Sequence, residues 1–254
     1  IPYNASMFER IIEFSASKIY VDKKDEHPIP AKFNLPDWYK NLKYLKSDEN
    51  VKGCVPFLDS MTAGYILKTP QDFYIKHNFE NEDKVKDTSF ACPMRKDKYL
   101  DIAQINLNKQ GPGESHPSEQ MKGSPHLAKN NDQAFLKFLN PWRIKTPAGY
   151  SCLFVPPLNN SDDRFSIIPG IVDTDTYSRE VNFPFTINGD KYKKLETTIH
   201  KGTSYVQVIP FKRDDWKMKM VGKDAKSLIA ENFGLDLTFM HRYKTKFWSK
   251  KTWR

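Results

Sequence analysis

Cysteine is scarce in this 254-residue chain: Cys54, Cys92 and Cys152 are an odd number with no C-x-x-C spacing. That argues against a disulfide framework or a cysteine-based zinc site and makes a reducing cytoplasm the simpler setting. Long apolar runs are also missing. None approaches the roughly 20 residues that span a bilayer, and the N-terminus lacks a signal-peptide pattern, so a soluble protein without a membrane partner is expected. Glycine is sparse as well, with 11 residues against 17 prolines. That balance suggests short extended segments broken by rigid turns rather than a helical bundle.

What is present is a large, aromatic, basic chain. Hydrophobic residues make up 39% and aromatics 13%, enough for a substantial core, and the net charge is +9. The charge is unevenly placed. The last fourteen residues, HRYKTKFWSKKTWR, hold six basic side chains and no acid, with Tyr243, Phe247, Trp248 and Trp253 interleaved. A tail of that composition suits a phosphate backbone and stacked bases. It suits equally an arm that packs its aromatics on the domain and keeps its lysines in water. At the other end Met7 marks an expected start, and the six residues before it are left out of the fold.

Between these ends the pattern predicts one mainly-β domain over residues 7–240, followed by the basic aromatic tail 241–254. An opening strand falls within residues 7–21. A proline-punctuated arm then leads to a short helix that Asp37 starts, presenting Trp38, Leu42 and Leu45 at helical spacing. Strands follow at Tyr65–Leu67 and Phe73–Ile75. Residues 80–134 turn polar and irregular, a long loop-rich insertion of the kind that is functional or disordered. Strands resume on both sides of a Thr-Pro-Ala-Gly turn at 146–149 and continue at sandwich or barrel spacing to Phe211. From Asp215 the composition becomes compatible with helix. Trp142 and Arg143 are adjacent, so one faces the core and the other a salt bridge. The basic patch PFKRDDWKMK reads as a solvated face.

The stretch PGIVDTDTY, residues 169–177, is the most pointed local signal. Two carboxylates one residue apart after an apolar run describe either a turn that caps backbone N–H groups or the wall of a ligand site. Three further stretches accompany it in order: TAGYILKTPQDFYI, TPAGYSCLFVPPL and IHKGTSYVQVIPF. Together the four resemble strand motifs of the trimeric dUTPase and dCTP deaminase barrel family. Ala63, Gly64 and Tyr65 match its first motif, Gly170, Asp173, Asp175 and Tyr177 its acidic hairpin, and Gly202 and Gln207 its late strand. The resemblance implies a dUTPase-like barrel or jelly roll that is homo-oligomeric and binds a nucleotide. Asp173 would be the catalytic position, and Asp175, Tyr177, Gly64, Tyr65 and Gln207 would contact the ligand. The chain departs from the family where the chemistry sits. Ile66 replaces an aspartate, PPLNN replaces the phosphate-binding arginine and serines, Thr176 is an extra residue, and no glycine-rich arm closes the chain. The expectation is a binder of a nucleotide or small phosphorylated ligand without dUTPase activity.

A second constellation lies in the insertion. His116, Glu119 and His126 supply the two histidines and one carboxylate of a divalent-metal site, with His200 as a distal ligand. This is the donor set of cupins and Fe(II) oxygenases, although His116-Pro117-Ser118 lacks the H-x-(D/E) spacing. Over nearly its whole length the chain is also similar to an uncharacterised domain family of tailed phages of marine cyanobacteria and of some bacteria. That resemblance implies a phage protein of the host cytoplasm. It leaves open a non-enzymatic accessory or virion role, in which the tail binds nucleic acid or a host protein.

Overall fold

The computed structural model describes residues 10–43, 50–78, 89–91, 113–130, 132–229 and 243–254. The strands, in chain order, are β1 (Glu13–Ser15), β2 (Ile29–Pro30), β3 (Tyr65–Lys68), β4 (Phe73–Asn78), β5 (Ser89–Ala91), β6 (Gly113–His116) and β7 (Phe135–Phe138). They continue with β8 (Arg143–Lys145), β9 (Tyr150–Val155), β10 (Phe165–Ile167), β11 (Gly170–Val172), β12 (Phe183–Ile187), β13 (Lys194–Ile199) and β14 (Ser204–Lys212). Every pairing is antiparallel. The described strands form four sheets, ordered β1-β8, β10-β12-β7-β6, β11-β9-β14-β3-β2 and β13-β4-β5. The mainly-β expectation holds, but the described strands do not close into a barrel.

The core lies where the sheets face one another. Phe73, Phe138, Phe154, Phe185, Tyr205 and Val208 are each no more than 2% exposed and belong to one apolar cluster. Phe138 stacks on Phe185 at 4.3 Å between ring centroids and meets Phe73 edge-on at 5.0 Å. Burying rings of this size is worth a few kcal/mol each and fixes sheet against sheet. Alternation explains the assignment. In β4, Phe73, Ile75 and His77 point inward, while Tyr74, Lys76 and Asn78 are more exposed.

β14 organises the five-stranded sheet by changing partners along its length. Ser204–Val208 pair with β3, and Gln207–Lys212 pair with β9. Pro210, which has no N–H to give, falls beyond the last pairing with β3, where no described strand pairs with that side of β14. Gly64 makes the first half possible. Its φ is +68°, and an added Cβ would lie 1.9 Å from the Val208 carbonyl oxygen.

Several expectations are corrected. The Asp37 helix is a single turn, Asp37–Asn41, so its buried residue is Tyr39, while Trp38 is half exposed and Leu42 lies past its end; Leu45 lies outside the described residues. The insertion is not loop throughout, because β5 and β6 extend two of the sheets and a helix spans Pro125–Lys129. PGIVDTDTY is not a hairpin. β11 pairs back with β9, and the next strand, β12, belongs to a different sheet. From Asp215 to Asp224 there is no helix. The lysine–apolar alternation there has period two, and helix begins only at 225, where the Asp224 carboxylate accepts the Ser227 N–H at 2.9 Å. Of the tail, Tyr243–Phe247 form one π-helical turn and 248–254 are irregular.

Candidate functional site

The acidic stretch leaves β11 as a turn in which successive side chains diverge. Thr174 is fully buried, with its hydroxyl 2.7 Å from that of Thr146 and 3.3 Å from the Cys152 sulfur. Asp175 reaches across to the Thr-Pro-Ala-Gly turn, where Oδ2 accepts the Gly149 N–H at 2.8 Å. Its two oxygens also take both terminal nitrogens of Arg213, a bidentate pair. Asp173 is 61% exposed and accepts the Ser151 hydroxyl at 2.6 Å, with Arg213 Nη1 3.3 Å away. Arg213 Nη1 also donates to the Tyr150 carbonyl and the Ser151 hydroxyl, each at 2.9 Å. One guanidinium therefore ties the end of β14, the start of β9 and the acidic turn into a single knot.

The electrostatics follow from those contacts. Arg213, helped by the Gly149 N–H, holds the Asp175 carboxyl down to about 2, and the Arg213 pKa rises in return. Burial pushes the Cys152 thiol up to about 11, so it is no nucleophile at neutral pH.

Beside this knot opens a groove of about 1000 Å³. It forms where β14 has parted from β3. Tyr65 and Pro210 line its floor, residues 10–12 one side, Thr146, Pro147 and Tyr150 another, and Lys251–Arg254 the last. Arg10 lies over the Tyr150 ring at 5.7 Å. The tail segment is held in place by Asp59, whose carboxylate accepts the Trp248 indole N–H at 2.9 Å and the Lys251 ammonium at 2.6 Å. The Tyr65 hydroxyl donates to the Arg254 carbonyl at 3.1 Å, and the Trp253 ring meets Tyr65 at 6.3 Å. Arg10, Arg254 and three aromatic rings thus line one opening, while the Lys251 ammonium is held by Asp59.

The residues singled out from sequence disperse over the structure. Tyr65 lines the groove, and Asp173 and Asp175 stand behind its Tyr150 wall. Gly64 serves the β3–β14 approach. Gln207 is buried and fully engaged. Its amide donates to the Ser60 and Ala63 carbonyls at 2.8 and 2.7 Å, and its oxygen accepts the Leu158 N–H at 2.8 Å. Tyr177 is exposed, and its N–H donates to the Asp173 carbonyl at 2.9 Å. His116 bonds Gln120 at 2.9 Å, and His200 lies 3.7 Å from Asp72. Among the described residues no group of three or more His, Cys, Asp or Glu side chains is placed to hold a metal, so His116, Glu119 and His126 do not form such a cluster.

Sequence reasoning missed Arg213, which it placed on a solvated patch, and it missed the part of Arg10 and Tyr150 in the groove. Trp142 and Arg143 divide as expected, the indole buried and the guanidinium paired with Glu180 at 2.7 Å. Among the described residues no helix is long and apolar enough to cross a membrane.

No family model and no curated protein matches the chain, so nothing there supports the resemblance to the phage domain family. Among solved structures it is similar to a dUTPase mutant of Staphylococcus bacteriophage 80alpha determined with dUpNHpp. The identity is 11% and the TM-score 0.34, over 85% of this chain and 90% of that one. A likeness at that level leaves the fold to be described from its own strands.

Proposed function

We propose that the protein binds a nucleotide or a similar small phosphorylated compound carrying a ring, and does so in the groove between Tyr65, Tyr150 and the C-terminal residues. The observation that carries this reading is the convergence of Arg10 and Arg254 with Tyr65, Tyr150 and Trp253 on one open groove of about 1000 Å³. Cations meet phosphate charge, and aromatic faces stack on a base at roughly 1–3 kcal/mol per base. The Asp173–Asp175–Arg213 knot supports the groove by fixing the Tyr150 backbone. Asp173 does not line the groove and acts on it only through Ser151 and Arg213.

Hydrolysis of a triphosphate is not part of the proposal. Asp173 already accepts from Ser151 and lies beside Arg213. PPLNN offers no arginine or serine to the phosphates, so the developing charge of the transition state lacks its donors.

The test is isothermal titration with dUMP, dUDP and dUTP, run beside an assay for pyrophosphate release. Binding that weakens about tenfold or more in Tyr150→Ala, with no pyrophosphate from dUTP, is the expected result. Unchanged affinity in Tyr150→Ala would sink the groove. Unchanged affinity in Asp173→Ala would keep the groove and dismiss Asp173 as part of its support. Tight binding of oligonucleotides alone would replace the nucleotide by a single strand.

A further inference from the structure

Immediately after β14 the chain leaves the body of the protein. Residues 213–224 belong to no helix or strand. Trp216, Met218 and Met220 are 89%, 90% and 87% exposed, and Val221 is 68% exposed. An isolated exposed apolar side chain needs no explanation, but four within six residues, one of them tryptophan, form a patch that water penalises. Their order is informative. Trp216, Lys217, Met218, Lys219 and Met220 alternate apolar and cationic, the pattern of a strand with one face buried and the other wet. Among the described residues nothing buries that face.

The root of this arm is rigid. Arg213 is its first residue, and its side chain is held by Asp175, Asp173, Ser151 and the Tyr150 carbonyl, while its N–H donates to the Gly149 carbonyl at 2.8 Å. The acidic turn therefore fixes where the arm departs, and that lowers the ordering cost of docking it.

The same turn begins where β11 ends. β11 is the outer strand of the five-stranded sheet. Among the described residues it is paired only with β9, and Ile171 on it is 63% exposed. Arm root and open edge are thus neighbours, with Arg213 3.3 Å from Asp173.

We propose that the arm 214–221 docks as an added strand on β11 of a second copy of this chain, and that the exchange is reciprocal about a two-fold axis. Adjacent donor and acceptor surfaces are what a closed two-fold contact requires, because each copy then offers arm and edge on the same side. The area is sufficient. Burying Trp216, Met218 and Met220, which share one face of such a strand, removes on the order of 450 Å² per arm. Two arms with the surface they cover exceed the roughly 1,000 Å² of a specific interface. Main-chain bonds along β11 supply affinity, and the alternate apolar side chains supply register.

Sedimentation velocity over a micromolar concentration series tests this. The wild-type chain is expected to run as a dimer. Trp216→Ser/Met218→Ser/Met220→Ser is expected to run as a monomer with an unchanged far-UV circular dichroism spectrum, because those side chains are almost wholly exposed in the single chain. Ile171→Lys, which spoils the edge and leaves the arm, is also expected to be monomeric. Mixing the two variants should restore a dimer through one intact arm and one intact edge. A monomeric wild type overturns the proposal, as does a dimer that survives the triple substitution. A monomeric wild type whose arm binds phosphatidylserine vesicles would reassign the arm to an anionic lipid surface.

Discussion

Gly64→Ala tests the packing of the central sheet directly. Gly64 lies between the helix Val55–Thr62 and β3, at φ +68°, and its carbonyl accepts the Ala31 N–H at 2.9 Å. Alanine there incurs two separate costs. The left-handed backbone costs an L-residue about 1 kcal/mol. The new methyl would also sit 1.9 Å from the Val208 carbonyl oxygen and 2.9 Å from its carbon. Neither atom belongs to a side chain that can rotate away. β14 must withdraw just where Val208 is in register with Tyr65, and overpacking of that kind costs roughly 1–3 kcal/mol more. The expected total is therefore about 3 kcal/mol.

Gly202→Ala is the matched control, since Gly202 has φ +86° and no atom within 4 Å of an added Cβ. It should lose only the backbone part, about 1 kcal/mol. Urea denaturation of both variants gives the comparison, read as a change in midpoint at constant slope. Equal losses in the two variants would refute the close approach of β14 to Gly64.

Three further outcomes follow from the same contacts. Tyr205 is 2% exposed, and its hydroxyl has no partner among the described residues. Tyr205→Phe should therefore hold or raise stability, by about 1 kcal/mol, and a clear loss by urea denaturation would mean that the hydroxyl is satisfied. The Asp175 carboxyl is held down to about 2 by Arg213, below its ordinary 3.8. Its contribution is therefore complete above pH 4 and disappears as pH falls toward 2. Melting temperatures of wild type and Asp175→Asn should differ at pH 6 and converge near pH 2; a gap that stays constant across that range contradicts the assignment. Cys54 is exposed, whereas Cys152 is buried with its thiol pushed up to about 11. Iodoacetamide followed by mass spectrometry should mark Cys54 in the native protein and Cys152 only after denaturation.

How far the sequence could be read depends on the range of the interaction involved. Alternation over residues 65–78 and 194–212 is local, so strands β3, β4, β13 and β14 could be placed from their own side chains. Sheet membership is not local. β8 and β9 flank one turn yet pair into different sheets, because β8 finds β1 and β9 finds β11 and β14. No property of the turn records those partners. The same limit hid the groove. Arg10, Tyr150 and Arg254 are far apart in sequence and meet only because β14 loses β3 as a neighbour beyond Val208.

The acidic turn shows how a correct local signal leads to an incomplete reading. Two carboxylates around one buried threonine do mark a fixed point, and the sequence displayed it plainly. Its partner is Arg213, a basic residue in a run where Asp214 and Asp215 are nearer along the chain than Asp173 and Asp175. Sequence proximity assigns that arginine to the nearer acids. The fold assigns it to the distant ones, because Arg213 N–H bonds Gly149 and so carries its side chain over the 173–175 turn. With the arginine engaged there, the chain beyond it is released from the body with Trp216 in water. One guanidinium thus decides both what the acidic turn does and where the arm departs.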